Sequence, residues 1–159
     1  MPDPVSRRRL FSVLANNLKM PTYTGSSTCH KIEYNLTLNS ADDARTSLCH
    51  CKNCKKAFGT NYGLTAKVPK HALQLTKGET KKHAADCRTG VVVHREFCDT
   101  CGSFICEYGD HVKEQFRYVV VGSLDDSEAL PPKGEFFCQA RVSWMPEIPN
   151  LFHKQKIKE

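Results

Sequence analysis

The sequence predicts an all-β domain built of small sheets, and three observations carry that expectation. Across residues 32–38 the apolar Ile32, Tyr34, Leu36 and Leu38 alternate with Glu33, Asn35 and Thr37, which sets one face of a strand against a core. Seven further strand candidates follow at short intervals with turn signals among them. No long amphipathic helix interrupts the series, and short strands without such a helix bury their apolar faces sheet against sheet. The 159 residues suit one domain, and 40% hydrophobic with 25% charged residues lie near globular averages.

In chain order, the first twenty residues read as a short peripheral helix. Leu10, Val13, Leu14 and Leu18 fall at helical spacing behind Arg7, Arg8 and Arg9, and Pro21 ends the pattern. The strand at 32–38 comes next. The remaining candidates are 46–51, 63–68, 80–85, 91–97, 104–108, 116–121 and 136–144. The turn signals are Lys77-Gly78, Arg88-Thr89-Gly90, Tyr108-Gly109-Asp110, Asp125-Asp126 and Pro131-Pro132.

Nine cysteines are many for this length, but the number is odd and six crowd into two stretches with metal-type spacing. Residues 1–20 lack the apolar core of a secretory signal. Thiolate ligation in a reducing compartment, the cytoplasm, is therefore expected over disulfide scaffolding. No run of eighteen apolar residues occurs, so no membrane partner is expected. The net charge of +6 lies partly in Arg7–Arg9 and in the tail, where charge is ordinarily solvated, and nucleic acid is not expected as a partner.

Cys49-His50-Cys51-Lys52-Asn53-Cys54 places three thiols within six residues. On an extended backbone Cys49 and Cys51 project to one face and His50 to the other, and a tight turn returns Cys54 to them. Three convergent thiolates leave tetrahedral zinc one position short, the mark of a catalytic rather than a closed structural site. A fourth protein ligand from elsewhere would make the same cluster a staple. Cys98-Asp99-Thr100-Cys101-Gly102 is a second knuckle, to which Cys29 can add a third sulfur. Two residues before Cys29 stands Ser27, a far poorer zinc ligand than a thiolate. Zinc is expected there with a fourth position taken by water, Ser27 or Cys106, because metal bound at Cys98 and Cys101 is folding energy. The alternative is that this site has been lost. Cys87 and Cys138 read as core or loop thiols.

These motifs resemble those of the glutathione-dependent formaldehyde-activating family, which includes centromere protein V. The resemblance runs through Gly25-Ser26-Ser27-Thr28-Cys29, the Cys49–Cys54 motif and Phe97-Cys98-Asp99-Thr100-Cys101-Gly102-Ser103. It continues in Gly122-Ser123-Leu124-Asp125-Asp126 and in Phe136-Phe137-Cys138 with Arg141 and Trp144. It implies a curled multi-sheet fold over residues 23–150, between a helical extension at 1–22 and a basic tail at 151–159. It also implies a catalytic zinc on Cys49, Cys51 and Cys54, and a structural zinc on Cys29, Cys98 and Cys101. The implied reaction joins glutathione and formaldehyde, with small thiol and aldehyde partners. Ser27 departs from the pattern at the first cysteine of a cysteine-x-cysteine pair.

Three thiolates over-neutralise a zinc ion, so holding an incoming thiol as thiolate suits such a site better than activating water. Carbon–sulfur lyase or synthase chemistry follows as the expectation. His50, His83, His94 and His111 are the candidate proton carriers, and Asn61 and Tyr62 the candidate substrate contacts. Two rivals stand beside it. One is an enzyme of the same fold doing elimination, dehydration or isomerisation without glutathione, and the other a non-catalytic zinc-stabilised binding module.

Overall fold

The computed structural model describes residues 20–156; the expected N-terminal helix lies outside them. Among the described residues, eleven strands and one α-helix alternate with 3-10 turns. A three-stranded sheet is formed by β1 (Thr22–Ser26), β2 (Glu33–Thr37) and β5 (Leu73–Lys77), in the order β1-β2-β5. The other strands make one curled sheet. They are β3 (Arg45–Cys49), β4 (Gly63–Pro69), β6 (Lys81–Asp86), β7 (Val92–Phe97), β8 (Phe104–Gly109), β9 (Phe116–Val120), β10 (Gly134–Phe136) and β11 (Phe152–Lys154). Their order is β11-β10-β3-β4-β9-β8-β7-β6, with β10 parallel to both β3 and β11 and the rest antiparallel. The exposed, lysine-bearing β6 blunts one edge of this sheet, as charged edge strands do.

The alternation in β2 does what its period demands: Tyr34 and Leu36 are fully buried, with Ile32 and Leu38 just beyond the strand. The same rule separates the two faces of the large sheet. Thr46, Ala66, Val119 and Cys106 are successive cross-strand partners on β3, β4, β9 and β8, and all are at most 2% exposed. Shifted by one residue, Arg45, Lys67, Tyr118 and Glu107 form the corresponding row on the opposite face. One face is core, and the other is a polar floor.

Two local expectations are corrected. The stretch 136–144 is not a strand, because β10 ends at Phe136 and Phe137 adopts a left-handed backbone (φ 55°) that breaks the extended run into a 3-10 turn at Cys138–Ala140. The turn expected after Cys51 is a helix, α1 (Lys52–Phe58). Within the stretch read as a tail, Phe152–Lys154 is paired to β10.

Candidate functional site

Cys49 ends β3, Cys51 is the N-cap of α1, and Cys54 lies in its first turn. The Cys51 sulfur accepts the Cys54 backbone N–H at 3.3 Å, so the cap that starts the helix also brings two ligand candidates together. Gly63, opposite Cys49 on β4, makes room for this. A side chain there would press to 2.8 Å from the Phe58 ring and 3.1 Å from Cys54 Cβ. The three sulfurs lie within 4.8 Å of one another. Hydrogen bonds from Cys49 and then Cys54 hold the Cys51 thiol down at about 2, while the same sharing with Cys51 pushes Cys49 up to about 11.

His50 turns away from the sulfurs, as strand alternation requires, and is fully buried. Its Nε2 is 2.6 Å from Glu135 Oε1, its backbone N–H donates to Phe136 O at 3.0 Å, and its Nδ1 is buried without a hydrogen-bond partner among the described residues. Glu135, also fully buried, receives Arg141 on both oxygens at 3.0 and 2.9 Å and lies 2.9 Å from His153 Nε2. His50 is therefore a structural anchor of the cysteine loop. His83 and His111 are exposed, and His94 pairs with Asp110 at 2.8 Å. None of the candidate histidines borders the cavity described next, nor do Asn61 and Tyr62. Tyr62 meets the His50 ring edge-on at 6.4 Å.

A cavity of about 460 Å³ opens over the polar floor of the large sheet, with Cys49 and Cys54 in its wall. Arg45, Lys67 and Lys133 supply positive charge, Phe136 and Phe152 an apolar wall, and Tyr118 and Glu107 the remaining ionisable groups. Lys67 Nζ lies 4.0 Å over the Phe116 ring, and Lys133 pairs with Asp42 at 3.1 Å. Burial raises the Glu107 carboxyl above the ordinary glutamate value, with the charge of Arg95 pulling the other way. Sequence reading missed these lining residues. Their signal is the strand register, which brings Arg45, Lys67, Tyr118 and Glu107 from four distant segments into one row.

The second group joins the two sheets. Cys29, in the β1–β2 connection, meets Cys98 and Cys101 of the β7–β8 connection, all three sulfurs within 4.8 Å. Cys29 and Cys98 are 3.6 Å apart, close to the ~3.8 Å edge of a tetrahedron with zinc–sulfur bonds of ~2.3 Å. Gly102 (φ 74°) closes the knuckle, its N–H donating to Cys98 O at 2.9 Å. Ser27 is fully buried, its Oγ 3.6 Å from Cys29 Sγ while accepting the Ile32 N–H at 3.1 Å. Cys106 is buried in the core and belongs to neither group. Cys87 accepts from Arg95 at 3.4 Å, and Cys138 donates to Glu135 O at 3.4 Å. Two sets of three soft sulfur donors, none in a disulfide, fit a thiophilic metal such as zinc.

The family model for glutathione-dependent formaldehyde-activating enzyme matches residues 22–140. No curated protein matches the chain. Among solved structures, a Rhodobacter sphaeroides protein determined as a structural-genomics target is similar at 23% identity. That match covers 64% of this chain and 87% of the other, with a TM-score of 0.48.

Proposed function

The chain belongs to the glutathione-dependent formaldehyde-activating enzyme family, and on that premise we propose that it is a zinc-dependent carbon–sulfur lyase acting on the adduct of a thiol and an aldehyde, with glutathione as the thiol. The observation that carries this reading is the convergence of Cys49, Cys51 and Cys54 within 4.8 Å, two of them in the wall of a cavity large enough for a small molecule. Among the described residues no fourth histidine, cysteine, aspartate or glutamate joins them, which favours an exchangeable position over a staple.

Cys49, Cys51 and Cys54 would hold zinc, which when bound would lower the pKa of a coordinated thiol. The chain supplies the rest. Arg45, Lys67 and Lys133 offer charge to the carboxylates of a substrate such as glutathione, and Phe136 with Phe152 offers an apolar surface on one side. The Glu135–His50 pair keeps the loop between Cys49 and Cys51 in one conformation. Cys29, Cys98 and Cys101 are proposed to hold a second, structural zinc. The reading also keeps the protein in a reducing compartment, the cytoplasm, where its nine thiols stay reduced.

The test is turnover of zinc-loaded protein with glutathione and formaldehyde, extended to a panel of thiols and aldehydes and followed by NMR of the hydroxymethyl carbon. Cys54→Ala is expected to abolish turnover while leaving the circular dichroism spectrum unchanged. X-ray absorption should show an added sulfur neighbour when the thiol is supplied. A wild-type protein that neither forms nor cleaves any such adduct overturns the assignment, as does a protein-derived fourth ligand that thiol never displaces.

A further inference from the structure

Resting on the thiol–aldehyde reading above, we propose that Glu107 is the catalytic residue that carries the proton between the substrate thiol and the aldehyde oxygen. In the direction of addition, the thiol gives its proton to Glu107 Oε1. The sulfur electron pair then forms the carbon–sulfur bond while the carbonyl π pair moves to oxygen, and Oε1–H returns the proton to that oxygen. The product is the hydroxyalkyl thioether, and the carboxylate ends as it began. Cleavage is the same sequence reversed, and no oxidant or reductant is consumed.

Placement is the first argument. Glu107 borders the same cavity as Cys49 and Cys54, although it comes from β8, four strands along the sheet order from β10. Among the described residues it is the single carboxylate in that lining, and no histidine borders the cavity. The other ionisable groups there are poorly matched to a proton relay. Arg45 stays charged at any accessible pH, Lys67 is held over an aromatic ring, Lys133 is paired with Asp42, and burial pushes the Tyr118 phenol above its ordinary 10, away from the pH range in which it could accept a proton.

Orientation is the second. Arg95 Nε donates to Glu107 Oε2 at 3.1 Å, and Oε1 takes no hydrogen bond from the described residues. One oxygen is anchored and the other is available. Arg95 also reaches Cys87 Sγ at 3.4 Å, and Cys87 O accepts from Asn53 Nδ2 at 3.0 Å in the first turn of α1. A chain of contacts thus fixes the carboxylate relative to the helix that carries Cys54. The side chain is 18% exposed, and its burial favours the protonated form more than in water, which suits a group that must both take and give a proton.

Glu107→Gln in the zinc-loaded protein is the deciding variant, because it keeps shape and the bond to Arg95 but cannot relay a proton. The expected result is a kcat at least about a hundredfold lower, in the range of lost general acid–base catalysis, with zinc content and the KM for thiol held within about twofold. A kcat within about threefold of wild type overturns the proposal. So does a parallel loss of zinc, which would mark Glu107 as structural. Should Glu107→Gln fail to fold, Glu107→Asp decides: retention of full kcat despite the retracted carboxylate overturns it, and a lowered kcat at unchanged KM supports it. Wild-type protein with no thiol–aldehyde turnover overturns the parent reading and this one together, whereas turnover that survives Glu107→Gln removes only the proton role.

Discussion

Ser27 is the residue that most sets this chain apart from the motif it otherwise follows. It is wholly buried beside Cys29, and its Oγ already accepts the Ile32 N–H. A hydroxyl so engaged is a weak donor to a soft metal, so the Cys29, Cys98 and Cys101 group is expected to release zinc to a chromophoric chelator before the Cys49 group does. Ser27→Cys supplies a fourth sulfur and should tighten that site by roughly tenfold or more, removing the early phase of release. Identical release curves for the two proteins would refute the role assigned to Ser27. At this scale the cysteines were legible, because ligand spacing is local and survives without a structure. Glu107 was not, since a single glutamate in a short strand carries no local mark of the cavity it will border.

Within elements, the site depends on the junction of β3 and α1 and on β10 behind it. His50 and Glu135 are both fully buried, and Arg141 and His153 complete the shell around the carboxylate. Removing the charge from this centre leaves Arg141 with only the exposed Glu147 as counterion, at 3.4 Å, and Glu135→Gln should lose roughly 3 kcal/mol of stability, the low end for a broken buried pair. Burial by itself would raise the Glu135 carboxyl, but hydrogen bonds from Arg141 and His50 outweigh it and hold the group below its ordinary 4.5. The unfolded chain therefore binds a proton that the native state has released. This share of stability is complete above 4.5 and is lost as the pH falls through the lowered native value. The gap in urea midpoint between wild type and Glu135→Gln should narrow on acidification; a widening gap would contradict the sign. The strand period announced β2 correctly, whereas α1 escaped notice because seven residues bearing three lysines and one cysteine show no apolar stripe.

For the molecule as a whole, the second cysteine group matters most, because it ties the three-stranded sheet to the eight-stranded one. Cys98 is itself part of the buried core, and Lys31–Asp99 at 2.6 Å spans the same junction at the surface. Cys98→Ala should therefore cost at least ~3 kcal/mol, a fraction of the ~10–16 kcal/mol that structural zinc brings to small folds. Cys54→Ala, at the margin of the cavity, should cost less. Calorimetry on the two variants decides this, and equal losses would count against separate structural and catalytic roles. Read alone, the sequence pointed to the all-β class and to the local clusters Cys49–Cys54 and Cys98–Cys101, since backbone period and ligand spacing are short-range properties, whereas Cys29, 69 residues from Cys98, entered as a possible third sulfur and through the family resemblance. Only tertiary structure decided that β3, β4, β9 and β8 lie side by side, that His50 faces inward to Glu135, and that Glu107 shares a cavity with Cys49. Those facts follow from which strands pair, and pairing is settled by burial summed over the whole chain rather than by any segment of it.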